Sequence, residues 1–147
     1  MGTISRETWI GAPIERVFDV IVDYARYPDF VPGVRACQPL PSAGGSRRVE
    51  YDVDLGVRRV RYVLAHREER PVRVAWSLDS GEFFVRSNGS WELTEERGGT
   101  RARYSLDVEV KRPPLVPRML VDRVVDELTR VQLPLTLEAF RARAEGR

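Results

Sequence analysis

A chain of 147 residues, 42% hydrophobic and 31% charged with a net charge of +2, has the size and mix of one domain over residues 1–147 and excludes a second of ordinary size. A single cysteine, Cys37, and a single histidine, His66, exclude an internal disulfide and a four-ligand zinc site, so neither a metal nor a cofactor is expected. The 24 basic residues are 23 arginines and Lys111, spread over the chain among 22 acids, which fits compositional bias better than a DNA-binding face.

No apolar stretch approaches the roughly 18 residues of a membrane span, and the opening residues lack a charged region followed by an apolar run. A cytoplasmic location is the expectation. Residues 3–10 read as a strand that stops at Gly11, Ala12 and Pro13. A helix follows: Pro13 suits its first turn, and Ile14, Val17, Phe18, Ile21 and Tyr24 recur at helical spacing. Pro28 and Pro32 then mark a second short helix or turn.

From Val34 to Val110 the apolar period is two, and residues paired across a hairpin must share a face. Four turns satisfy this test. Around Leu55 and Gly56, Tyr51 falls opposite Val60 and Val49 opposite Tyr62; around Glu69, His66 meets Val72 and Leu64 meets Val74. Around residues 79–82, Leu78 meets Phe83 and Trp76 meets Val85; around residues 96–99, Leu93 meets Ala102 and Trp91 meets Tyr104. The resulting inward face carries Tyr51, Tyr62, His66, Trp76, Trp91 and Tyr104 among valines and leucines, while most charges fall outside. Asn88-Gly89 is a strong hairpin signal, but folding there would put Phe84 and Arg86 on the face of Trp91. One long strand, with Gly89 as a bulge or bend and Val85 inward, keeps the apolar residues together.

Residues 116–144 read as one long helix with an apolar stripe of Leu120, Val121, Val124, Val125, Leu128, Val131 and Leu135, kinked at Pro134. Leu133, Leu137 and Phe140 lie on its other side, to pack against the N-terminal helices or to meet a partner. A helix about 10 Å across cannot fill a face of six strands about 29 Å wide. The remaining space holds large side chains, the short helices or a ligand.

The run Ala12-Pro-Ile-Glu-Arg-Val-Phe-Asp-Val-Ile-Val-Asp-Tyr-Ala-Arg-Tyr-Pro-Asp-Phe-Val-Pro32 resembles the opening signature of the START-like polyketide cyclase/dehydrase superfamily, SRPBCC. Residues 81–93, 99–110 and 138–144 resemble its later strands and helix end, so the likeness covers almost the whole chain. Coenzyme Q-binding and ribosome-association toxin proteins are the nearest look-alikes. The resemblance implies an α+β helix-grip fold: a curved antiparallel sheet of six to seven strands wrapped around a long C-terminal helix, two short helices after the first strand, and a hydrophobic cavity between. It implies, for Tyr24, Tyr27, Pro28 and Phe30, a packing role rather than chemistry.

Three functions are then open. The first is non-enzymatic binding or transport of a lipid, quinone or polyketide-like aromatic, with Tyr51, Tyr62, Leu64, Trp76, Phe83, Val85, Trp91, Tyr104, Leu120, Val124 and Leu128 against the ligand and residues 113–117 at the mouth. An inward-reaching arginine is a further way to orient a polar group. The second is a cyclase or dehydratase with His66 as base and Tyr62 or Tyr104 as acid, though a histidine beside Arg67, Glu68, Glu69 and Arg70 also reads as a solvated turn residue. The third is ribosome association through Arg58, Arg59, Arg61, Arg73, Arg86, Arg101 and Arg103, against which stand the acids interleaved with them.

Overall fold

The computed structural model describes residues 2–42, 44–56 and 58–147; Ala43, in the expected loop over residues 39–45, lies outside the described residues. Strand β1 (Gly2–Ile10) is followed by helix α1 (Ile14–Ile21), a 3-10 turn (Tyr24–Arg26) and the short helix α2 (Tyr27–Phe30). Strands β2 (Val34–Pro39), β3 (Arg47–Asp54), β4 (Arg59–Glu69), β5 (Arg73–Gly81), β6 (Phe84–Glu96) and β7 (Gly99–Val110) come next. Helix α3 (Arg118–Asp126) runs through a π-helical segment (Glu127–Gln132) into helix α4 (Leu133–Glu145). The strands form one seven-stranded sheet in the order β1-β7-β6-β5-β4-β3-β2. Every pairing is antiparallel.

Pro13 starts α1 from an extended conformation, and the helix buries Val17, Phe18 and Ile21. Arg70, beyond β4, spans this helix from outside: its guanidinium lies 4.5 Å from the Phe18 ring and bonds Asp19 at 2.7 Å. The aromatic run after α1 packs between the helices and the sheet, and Tyr27 also lines the interior space. Tyr27 donates its hydroxyl proton to the Ile21 carbonyl, and Phe140 of α4 stands edge-on to Tyr27 and Phe30 at 5.3 and 5.1 Å. Leu133, Leu137 and Phe140 are therefore buried on the N-terminal side.

The β6–β7 register is the expected one, with Trp91 opposite Tyr104 and Leu93 opposite Ala102. Its turn puts Arg97 at φ 53° and Gly98 at φ 73°, two consecutive left-handed residues whose twist matches the flanking strands. Elsewhere the faces hold but the partners move. Tyr51 pairs with Tyr62 rather than Val60, Val49 with Leu64, and His66 with Trp76 rather than Val72. Each of these slips is an even number of residues, which leaves a period-two pattern on the same face. Val72, past the end of β4, is exposed rather than inward.

The odd slip is in β6. A bulge between Phe84 and Arg86 adds one residue to that strand, so Val85 turns out to solvent, 52% exposed, and Phe84 turns in. Gly89 is not the bulge. It pairs with Trp76 on one side and Leu106 on the other, and a Cβ there would sit 2.4 Å from the Ser105 carbonyl and 2.5 Å from the Trp76 ring. Glycine is thus the space through which an indole crosses the strand. Strands β5 and β6 pair only where Arg73–Trp76 meet Gly89–Glu92; beyond this the Leu78 N–H is taken by the Asn88 side-chain carbonyl at 3.4 Å.

The C-terminal helix is not one α-helix kinked at Pro134. Pro134 has no N–H and its ring crowds the carbonyl four residues earlier, and the wider π turn just before it absorbs both defects. That turn also breaks the phase of the apolar stripe. Val131 and Leu135 lie outside, whereas Val124 and Leu128 pack against the core; Leu120, ahead of the π turn in the first turn of α3, is also 49% exposed.

Candidate functional site

Between the sheet and the helices lies a cavity of about 180 Å³, far above the roughly 10–15 Å³ that one water needs. Of the residues expected against a ligand, Tyr51, Tyr62 and Leu64 line it from β3 and β4. Trp76, Trp91 and Tyr104 line it from β5 to β7, and Leu128 from the π segment. Phe83 and Val124 pack on the core beside it without lining it, Val85 is turned out by the β6 bulge, and Leu120 is exposed in the first turn of α3. None of residues 113–117, expected at the mouth, lines the cavity. An outer depression instead shares Val31, Val34 and Gln132 with it, beside the Gly33 turn and the Arg35–Asp54 ion pair.

Sequence reasoning missed Phe84 and Ser87, which the β6 bulge and the residue spacing after it bring inward, and Gln132 and Thr136, four residues apart on one side of the last helix. A polar pair at that spacing beside buried Leu133 and Leu137 was the available signal.

No Asp, Glu, Lys or Arg lines the cavity, so the inward-reaching arginine does not occur among the described residues. Polarity comes from neutral groups. The Tyr62 and Tyr104 hydroxyls have no hydrogen bond to protein among the described residues, yet no sealed side-chain polar atom is without a partner. These hydroxyls therefore border the open space of the cavity. Burial pushes both well above the ordinary tyrosine range, which keeps them protonated and able to donate.

His66 is 3% exposed, not a solvated turn residue. β4 continues three residues past it, and Tyr24 lies over its ring at 4.4 Å, held there by a 2.9 Å bond from its hydroxyl to the Glu68 carboxylate. Nδ1 is 3.2 Å from the Arg47 carbonyl, which can only accept, so Nδ1 carries the proton. Nε2 then accepts from the Tyr51 hydroxyl at 2.9 Å. Burial, the main cause, lowers the His66 pKa to about 4, so the ring is neutral at pH 7. Tyr51 in turn stacks on Tyr62 at 5.4 Å and 14°. The arrangement offers a neutral base behind one tyrosine and two free hydroxyls across an aromatic wall.

Most of the outer-face arginines are engaged. Arg59 bonds Asp52 at 2.9 Å, Arg86 bridges Asp107 at 2.9 Å and Glu109 at 2.8 Å, and Arg101 bridges Glu96 at 2.7 Å and Glu7 at 2.9 Å. Arg61 and Arg73 face Asp52 and Glu69 at 3.7 and 3.3 Å. Arg103 donates to Ser5, and Arg58 lies over the Phe83 ring.

Residues 10–133 match the family described as "Polyketide cyclase / dehydrase and lipid transport". No curated protein matches the chain. Among solved structures, a protein of Thermus thermophilus is similar at 21% identity and a TM-score of 0.85, covering 99% of this chain and 98% of that one. The Zhui aromatase/cyclase of Streptomyces sp. R1128 is similar at 16% identity and a TM-score of 0.87, covering 99% and 94%. A START superfamily protein of Mycobacterium smegmatis is similar at 22% identity and a TM-score of 0.80, covering 98% and 97%.

Proposed function

Because the chain belongs to the polyketide cyclase/dehydrase and lipid-transport family and has its START-like helix-grip fold, we propose that it binds a hydrophobic small molecule in the cavity and carries it without chemical change. The observation that carries this reading is the uncharged aromatic cavity with two unengaged hydroxyls. An engineered apolar cavity of about 150 Å³ is enough to admit benzene, so this one suits a fused aromatic or quinone-like ring system. Burying about 200 Å² of apolar ligand surface supplies about 5 kcal/mol before the costs of association. Tyr62 and Tyr104 would then select a ligand bearing carbonyl or hydroxyl oxygens, because each can donate to one. A permanent ion would lose its hydration with nothing of opposite sign to meet it.

Native mass spectrometry of the protein purified from cells, followed by solvent extraction, tests this. The expected result is a neutral aromatic or lipid at near one-to-one ratio. A protein that retains nothing and binds no member of a panel of neutral aromatics would overturn it.

One observation favours a catalytic reading as well. The His66–Tyr51 pair puts a neutral base behind a cavity-lining hydroxyl, the arrangement a cyclase or dehydratase needs to move a proton at a bound carbonyl. His66→Gln decides between the two. Turnover of an aromatic β-keto substrate that is present in the parent and lost in this variant supports catalysis, whereas binding with no turnover in either supports the carrier.

A further inference from the structure

From β7 the chain does not pass directly into helix α3. Residues 111–117 form an arch whose tip, Leu115, is held at φ 72° with its side chain 102% exposed. Left-handed backbone is costly for a branched residue, and here it aims an apolar side chain at solvent. Met119, in the first turn of α3, is 71% exposed, and Leu120 beside it is half exposed. With Pro113, Pro114 and Pro117, all exposed, these make a protruding apolar patch.

The charges around this patch are mostly cationic. Across the sheet most arginines meet a carboxylate, but Lys111, Arg112, Arg118 and Arg123 have no carboxylate partner among the described residues; Arg112 bonds only the Val116 carbonyl. One acid, Asp122, shares the segment with these four cations. α3 itself buries no residue fully.

We propose that the arch and the first turn of α3 form a docking surface for an anionic lipid bilayer, with Leu115 and Met119 entering the headgroup region and Lys111, Arg112, Arg118 and Arg123 meeting lipid phosphates. Two arguments select this occupant. The unpaired cations surround the apolar tip and complement a negative surface. The tip is also convex and narrow: three side chains cannot supply the about 800 Å² per partner of a stable dimer, whereas a fluid bilayer closes around a protrusion of any shape.

Co-sedimentation with large vesicles tests the proposal, comparing pure phosphatidylcholine with phosphatidylcholine containing about one-third phosphatidylglycerol. The expected result is binding to the anionic vesicles only, weakened steeply by salt. Lys111→Gln with Arg118→Gln should weaken it about 25-fold, at about fivefold per cation. Leu115→Asp with Met119→Asp should abolish it, and both positions are exposed enough that thermal unfolding should be unchanged. Equal binding to both vesicle types, no binding at low salt, or undiminished binding of the Asp variant would overturn it. So would loss of vesicle binding on self-association through this face, read by sedimentation velocity. None of these readouts involves the cavity, so they stand or fall apart from the proposed ligand.

Discussion

The hydroxyl of Tyr51 donates to the Nε2 atom of His66 across 2.9 Å, and the other ring nitrogen is committed to a backbone carbonyl. The histidine is thereby fixed as a single neutral tautomer in the wall of a cavity.

This pairing gives the fold a pH dependence. Histidine's usual pKa of 6.5 applies when the chain is unfolded, and burial lowers it to about 4 in the fold, so the unfolded chain takes the proton first. The stability His66 contributes is complete above pH 6.5, declines as pH falls through the window to about 4, and levels off below, where both states are protonated. The loss is on the order of 3 kcal/mol. Chemical denaturation of the parent and of His66→Gln at about pH 7 and about pH 4.5 isolates it, because exposed carboxylates affect both alike. Equal pH slopes would show that the ring is not the source.

Gly89→Ala should cost about 2–4 kcal/mol, since the new methyl group meets both the Ser105 carbonyl and the Trp76 indole well inside contact distance. Trimming the indole in Gly89→Ala with Trp76→Leu should restore only part of this, because the carbonyl is backbone and cannot withdraw. Full recovery in the double variant, measured by urea denaturation, would locate the clash in the ring alone.

Phe84→Ala and Val85→Ala should separate widely. Phe84 is buried edge-on to Tyr62 at 5.0 Å, and its loss should cost about 3–4 kcal/mol. Val85→Ala should change stability by no more than about 0.5 kcal/mol. The reverse order would place the bulge elsewhere.

For the cavity, 2-naphthol should bind about tenfold more tightly than naphthalene, and Tyr62→Phe with Tyr104→Phe should erase the difference while leaving naphthalene unaffected. Leu128→Trp should fill the space and abolish both. Quenching of Trp76 and Trp91, which line the cavity, supplies the signal. Discrimination that survives loss of both hydroxyls would show that other groups read the ligand's oxygen.

What the sequence made legible follows from the same geometry. The faces of β3, β4 and β7 could be read because a slip of two residues preserves them, as Tyr51 opposite Tyr62 shows. Val85 could not be placed, because one added residue inverts a strand locally and leaves no mark in an apolar pattern where Phe83, Phe84 and Val85 are all hydrophobic. Val131 and Leu135 failed for the helical version of that reason, because the π segment changes the phase between α3 and α4, whereas Leu120 lies ahead of that segment in the first turn of α3. The burial of His66 depends on Tyr24, which is distant in sequence and closes over the ring only in the fold. The START-like signature was readable at once because it is local, and its Tyr27 and Val31 both pack in the core and line the cavity.

The short pairing of β5 with β6 has one more consequence. Among the described residues, backbone rungs join the two ribbons, β2 to β5 and β6 to β1, only from Val72–Trp76 to Gly89–Leu93. Tyr51, Tyr62 and Leu64 project from one ribbon, and Trp91, Tyr104 and Val108 from the other. The breadth of the interior thus follows the dihedral between the ribbons, and widening it for a larger guest would part the contacts of Tyr62 with Phe84 and of Trp76 with Tyr104 that span the seam.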